Sequence, residues 1–178
     1  MRTIISITLI IVAASLLTAQ TKNPTKTVDT HNMNNDILRK IELSKFNNEL
    51  AFEMATTILK LARERNQNIA LEIGRLNHSI FLFIGDGLSA DKHNWLRRKA
   101  NVTRHFEESS LAIKYDLANG KMTLDKTFAL DKIEYLAKGG SIPIFVKDVG
   151  MVAIVTVSGL SDEEDHKIIV DALSGKYF

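Results

Sequence analysis

The chain contains no cysteine, so disulfides, thiolate nucleophiles, thiolate zinc sites and cysteine-ligated iron–sulfur clusters are all excluded. Proline occurs twice and glycine nine times in 178 residues, which excludes collagen-like or low-complexity organisation for most of the length. Neither sign of charge dominates: Lys plus Arg (23) against Asp plus Glu (21) leave a formal net charge of +2. Bulk electrostatics gives no reason to expect nucleic acid as a partner, and any basic surface must be local. Aromatic residues make up 7%, with a single tryptophan, Trp95. What is plentiful is aliphatic side chain. At 45% hydrophobic residues the chain can build one ordinary core, and its length predicts one domain.

The one long uncharged apolar run stands at the start. Met1-Arg2-Thr3 is followed by Ile4 to Leu17 and then Thr18-Ala19-Gln20, the layout of a secretory signal peptide over residues 1–19. The run is shorter than the ~20 residues of a membrane span, so cleavage after Ala19 is expected, with no stable membrane anchor afterwards. With no cysteine at the cut, a lipoprotein anchor is excluded, and the mature protein is expected to be secreted or periplasmic. Residues 20–36, polar and including His31, read as a flexible tether. The folded domain is predicted over 37–178.

Within it, apolar residues recur at three and four from Leu50 through Ala51, Met54, Ala55, Ile58, Leu61 and Ala62, predicting a long amphipathic helix over 37–65. Residues 69–74 alternate as a half-buried strand. SIFLFI at 79–84 is apolar on both faces, which predicts a central strand covered on both sides and hairpin-paired to its predecessor. A second helix is expected from Asp91 to about Phe106, capped by Ser89, with Trp95, Val102 and Phe106 along one stripe. Residues 111–116 read as a short strand or the end of this helix. A third helix is predicted from Asp125, burying Phe128, Ala129, Ile133 and Leu136 and stopping at Gly139-Gly140. Residues 141–147 and 151–158 form a second predicted hairpin. Ser161-x-x-Glu164 is a capping box opening a last helix that buries Ile168, Ile169, Ala172 and Leu173. Helix, hairpin, two helices, hairpin, helix is the pattern of an α+β layer structure with one largely antiparallel sheet.

The chemistry concentrates in GDGLSADKHNWLRRKANVTRHFEESS, residues 85–110. Between Lys92 and Phe106 it carries Arg97, Arg98, Lys99 and Arg104, with His93, His105 and Trp95, and no acidic residue. At helical spacing His93, Arg97, Asn101 and His105 succeed one another every four residues. Such a face can hold carboxylates or phosphates, because guanidinium donates in a planar fork and a glycine loop exposes backbone N–H groups at a helix start. The alternative is that these cations pair with the acidic turn at Asp162 to Asp165, or with Glu107 and Glu108 across a subunit boundary. Gly85-x-Gly87-x-x-Ala90 matches a relaxed dinucleotide fingerprint, but the strand before it belongs to a hairpin rather than a βαβ unit. The sequence around Ser89 misses a nucleophile elbow at its last position. His93 and His105 lie three turns apart on one helix, too far for both to bind one ion unaided. No catalytic residue is identified.

The segments GDGLSADKHNWLRRKANVTRHFEESS, GGSIPIFVKDVGMVAIVTVSGL and SDEEDHKIIVDAL together resemble the haem-degrading-like superfamily that includes the HbpS and GlcG proteins. The resemblance runs from Phe46 to Leu173 and is carried by Asp86, Gly87, Ser89, Asp91, Trp95, Arg98, Lys99, Asn101, Ser109, Gly150, Ser158, Gly159, Asp165 and His166. It implies a profilin-like sheet with helices packed on it, self-association into homo-oligomers and, for a secreted member, binding of haem or another tetrapyrrole with slow iron-dependent degradation. The expected ligand is thus a small anionic planar molecule, with haem as its cofactor form. Asp86, Gly87, Ser89, Trp95, Arg97, Arg98, Lys99 and Asn101 are the expected ligand-binding residues, with His93 or His105 expected to contact iron. The competing expectation is a non-enzymatic interaction module whose glycine loop and basic helix form subunit contacts.

Overall fold

In the computed structural model, residues 37–178 are described; the predicted leader and tether lie outside them. Ile41–Leu43 forms β1, with both apolar residues buried and Glu42 exposed. Asn47 caps α1, Asn48–Glu64, by accepting from the Leu50 N–H at 2.8 Å. The predicted helix over 37–65 is therefore shortened at its front. The three-and-four spacing begins only at Leu50, whereas Ile41 and Leu43 alternate, and Asn47 supplies the start signal. β2 (Ala70–Arg75) and β3 (Ser79–Ile84) form the expected hairpin.

The helical middle follows. α2 spans Lys92–Phe106, α3 Ser110–Asn119 and α4 Leu124–Phe128. Ser89 does not cap α2: the helix starts after Asp91, no side chain bonds the cap position, and Ser89 is exposed. Residues 111–116 belong to a separate helix, α3, because Ser109 caps it through the Ala112 N–H while Glu107 ends α2 in the left-handed region. The predicted third helix is cut to the five residues of α4. Ala129 turns left-handed there, and Ile133, expected inside, is 70% exposed. The second hairpin, β4 (Ser141–Val146) with β5 (Gly150–Ser158), and α5 (Asp162–Leu173) with its full capping box, are as expected.

The five strands form one sheet in the order β1-β4-β5-β2-β3. Only β1 with β4 is parallel; the other pairs are antiparallel. β5 and β2 are central, and β3 is an edge rather than a covered strand, with Leu82 45% exposed. Its double-faced apolar pattern arises differently. Phe81 and Phe83 pack on the core beside α1, joined by Ile80 at the bulge in the register with β2, while Leu82 lies on the other face, beyond the cover of α2.

Leu71, Ile73, Ile142, Ile144, Ala153, Val155 and Val157 point to one side of the sheet and meet Ala51, Met54, Ile58 of α1 and Ile168, Ile169, Leu173 of α5. α2 crosses the opposite side, where Val102 packs with Ile113 and Leu117 of α3 in a smaller cluster. The result is the α+β three-layer arrangement the pattern implied. No described helix is long and apolar enough to cross a membrane.

Gly139 and Gly140 admit the backbone where β4 and α5 begin. A Cβ at Gly140 would lie 2.5 Å from the Val157 carbonyl oxygen and 2.6 Å from the Asp165 Cβ, and its φ is +108°. Gly140→Ala is expected to lower unfolding free energy by roughly 3 kcal/mol in denaturant titration. Gly87→Ala, at a position with open space around it, is expected to cost about 1 kcal/mol.

Candidate functional site

α2 presents two faces to two environments, and the helical period decides which residue goes where. Steps of four residues advance by about 40° beyond a full turn, so a line of such steps spirals away, whereas seven- and eleven-residue steps return to within about 20°. His93, Ala100 and Arg104 therefore share a face, with Arg97 and Asn101 beside it, and His105 is carried round to the flank. The structure shows this. A hollow of about 370 Å³ lies between α2 and the sheet, lined by His93, Arg97, Ala100, Asn101 and Arg104 from the helix, Glu72, Ile154 and Thr156 from the strands, and the β2–β3 turn from Gly74 to Ser79. His105 instead stacks edge-on against Phe106 at 4.7 Å and Tyr135 at 6.0 Å.

The hollow has a polar rim, and its sheet floor is mixed, with Glu72 and Thr156 beside Ile154. Arg104 closes one end, its Nε donating to the Leu76 carbonyl at 3.0 Å and its Nη1 to Asn101 Oδ1 at 2.7 Å. Arg97 forms an ion pair with Glu134 and donates to Asn94 Oδ1 at 3.1 Å. The Arg75 guanidinium lies over the Phe46 ring, towards α1. His78 shares a hydrogen bond with Asn77 Oδ1 at 2.9 Å through Nδ1. Ala100, Leu76 and Ile154 supply the apolar surface. Among the described residues that line it, Glu72 alone is acidic.

Of the residues singled out in the sequence, His93, Arg97 and Asn101 come together here. The others are placed elsewhere. Trp95 is half-buried, its indole N–H donating to Asp91 at 2.8 Å and its ring meeting the Lys92 ammonium at 5.6 Å. Arg98 donates to the Lys132 carbonyl at 2.6 Å, and Asn101 to the Glu134 carbonyl at 2.8 Å. Asp86 and Gly87 are exposed on the glycine loop, where Asn68 donates to the Asp86 carbonyl at 2.7 Å. Ser89 is exposed on that same loop. Arg104, Glu72, His78 and Thr156 were not singled out. Arg104 was findable from its eleven-residue spacing to His93, but the strand and turn residues join only through tertiary pairing.

Lys99 is 1% exposed, and its ammonium donates to Asp165 Oδ2 at 2.7 Å and to the Val157 carbonyl at 3.1 Å. Asp165 Oδ1 in turn accepts from the Leu160 N–H at 3.0 Å. Burial pushes the Asp165 carboxyl up, to about 6, and the Lys99 ammonium down, while each partner's charge pulls the other back. The cation expected to meet a ligand thus joins α2 to α5. Beside it, His166 is buried with neither ring nitrogen hydrogen-bonded, and burial pushes its imidazole down to about 4. Among the described residues, no three His, Asp or Glu side chains converge to hold a metal ion.

Residues 46–174 match the family described as haem degrading protein HbpS-like. The chain belongs to this family. A UPF0303 protein of Zymomonas mobilis is 34% identical over 134 residues, 75% of this chain and 72% of the relative. Among solved structures, the Ybr137w protein superposes with a TM-score of 0.69 at 30% identity, over 74% of this chain and 78% of the other. PduOC in its complex with haem superposes with a TM-score of 0.59 at 13% identity, over 75% and 98%, which shows a shared fold. The family gives a reason to test the hollow against haem. Haem requires an imidazole free to reach iron, cations for two carboxylates and an apolar surface for the ring. An exposed His93, two arginines and the Ala100–Ile154 floor match those needs in residue type.

Two outcomes test the buried group. Lys99→Met leaves Asp165 unpaired and is expected to destabilise by about 3–5 kcal/mol in chemical unfolding, with Lys99→Met/Asp165→Leu recovering much of the loss. His166 has a folded pKa below its unfolded one, so its stabilising contribution is complete above about pH 6.5 and shrinks as pH falls towards 4. The stability difference between wild type and His166→Phe is expected to change by about 3 kcal/mol across that window, in the direction of a weaker wild type at low pH. Subtracting the variant removes the contribution of Asp165, which runs the opposite way.

Proposed function

We propose that the protein binds haem or a closely related anionic tetrapyrrole in the hollow between α2 and the β2–β3 turn. The observation that carries this is the convergence of His93, Arg97 and Arg104 on one open hollow, in a chain of the HbpS-like haem-degrading family. The crystal structure of PduOC with haem supports it as a property of a protein with this fold. His93 Nε2 or Nδ1, when neutral, is the group that would hold iron. The two guanidiniums would hold the propionates, and Ala100 and Ile154 would exclude water from one face of the ring.

Haem iron, when bound, would supply redox chemistry for slow oxidation of the macrocycle by an external oxidant such as a peroxide; this chain would contribute position. At about 370 Å³ the hollow is at the small end of ligand sites and open to solvent. One edge of the ring would therefore be gripped, with the rest left open to solvent. The leader expected at residues 1–19 supports a place in the periplasm or outside the cell for this work.

A second reading has its own observation. Arg97, Arg98 and Asn101 already bond to residues 132–134, and Lys99 to Asp165. The basic helix would then be a brace, and the protein an interaction module using its uncovered β3 edge. Haemin titration separates the two. A shifted Soret band saturating near one haem per chain is expected, and His93→Ala is expected to change the band position and weaken binding about tenfold or more. An unchanged spectrum in stoichiometric excess leaves the module reading.

A further inference from the structure

The segment from Asp131 to Leu136 is held on α2 by bonds that converge from two consecutive helix turns. Arg98 donates to the Lys132 carbonyl at 2.6 Å, Asn101 donates to the Glu134 carbonyl at 2.8 Å, the Leu136 N–H donates to the Arg98 carbonyl at 3.1 Å, and Arg97 pairs with the Glu134 carboxylate. Lys132 is further tied to Asp125 at 2.8 Å. This segment has no helix of its own and exposes Ile133, so bonds to its backbone, two side-chain ion pairs and the packing of Tyr135 on the smaller cluster keep it in place. Two of these contacts involve groups that also line the hollow, Asn101 and Arg97, and of the two only Arg97 meets a side chain of the strap.

A guanidinium has two faces of its fork to offer, and here one side already meets Asn94 and another meets Glu134. An incoming carboxylate of the same geometry as Glu134 must compete for those donors. Both Arg97 and Glu134 are over a third exposed, so the pair is weak enough to exchange.

We propose that Glu134 is a built-in competitor for the ligand's carboxylate at Arg97, so that filling the hollow releases the Glu134 side chain and loosens the strap. Glu134 thereby sets the affinity of the site for anionic ligands without touching them. The inference rests on the reading of the hollow as the tetrapyrrole site, and it specifies a property that reading does not require.

The probes are haemin and its dimethyl ester, which lacks both carboxylates, titrated by absorbance into the full folded chain and into Glu134→Gln. The glutamine keeps the Asn101 bond, which goes to the backbone carbonyl, and its exposed position carries no folding penalty. Haemin is expected to bind Glu134→Gln roughly two- to five-fold more tightly than wild type, the advantage an exposed ion pair can withhold, and the ester equally to both. Haemin is also expected to speed amide exchange at residues 131–136 in wild type. Equal or weaker haemin binding by Glu134→Gln, or an equal gain for the ester, overturns the competition while leaving the tetrapyrrole site standing. Failure of wild type to bind haemin at all overturns both.

Discussion

A single buried ion pair fixes the relation between the two helical layers. Lys99 leaves the middle of α2, passes the end of β5 and meets Asp165 in the first turn of α5, with the Val157 carbonyl and the Leu160 N–H completing the group. Removing two charges from water is costly, and their mutual attraction offsets that only when the surrounding hydrogen bonds are complete, as they are here. Such a group is a demanding constraint on geometry. Its setting explains Gly139 and Gly140, since a side chain at Gly140 would collide with both Asp165 and the Val157 carbonyl, and one at Gly139 with the Asp162 carbonyl at 1.9 Å. It also explains why Asp165 does not serve only as an acidic residue at a helix start.

Because α2 is pinned from within at Lys99, its outer face is held at a set height above the sheet. Lys99 and Leu96 look inward, while His93, Arg97 and Arg104 look into the hollow. The Arg104 bonds to the β2–β3 turn then define the hollow's closed end. A rigid anchor on one side and an adaptable ion pair on the other give the helix a fixed scaffold and a negotiable surface, the combination a binding site needs. The same arrangement puts half of the basic residues into structural work, so the raw count of cations in this segment overstates the positive charge available to a partner.

Much of the fold was legible in residue order. The α5 capping box, both hairpins and the amphipathic face of α1 follow from spacing that local physics reads without help. The errors were those of tertiary context. SIFLFI is apolar on both faces whether it is central or at an edge, and only the partner strands decide. The stretch after Phe128 has helical periodicity, but the left-handed Ala129 ends the helix and bonds to α2 take up the backbone instead. In the site, helix periodicity identified His93, Arg97 and Asn101, while stepping by fours along α2 drew in His105 and passed over Arg104. The alternative that the basic segment pairs with the acidic turn at Asp162 to Asp165 holds for Lys99, whose partner Asp165 lies 66 positions later, but local sequence does not separate Lys99 from its basic neighbours.

The strand order bears on how the chain comes together during synthesis. The central ladder pairs Ala70 with Ser158 and Arg75 with Ala153, partners about 80 residues apart, and β1 waits still longer for β4. The first hairpin can close as soon as it emerges, yet the outer edge of β2 stays bare until β5 arrives in the final third of the polypeptide, and the outer edge of β3 stays unpaired in the finished sheet. A nascent chain of this kind keeps its aliphatic strands unpaired for most of translation. Acquisition of the native topology is a terminal, nearly all-or-none event, triggered when β4 and β5 slot between elements made long before.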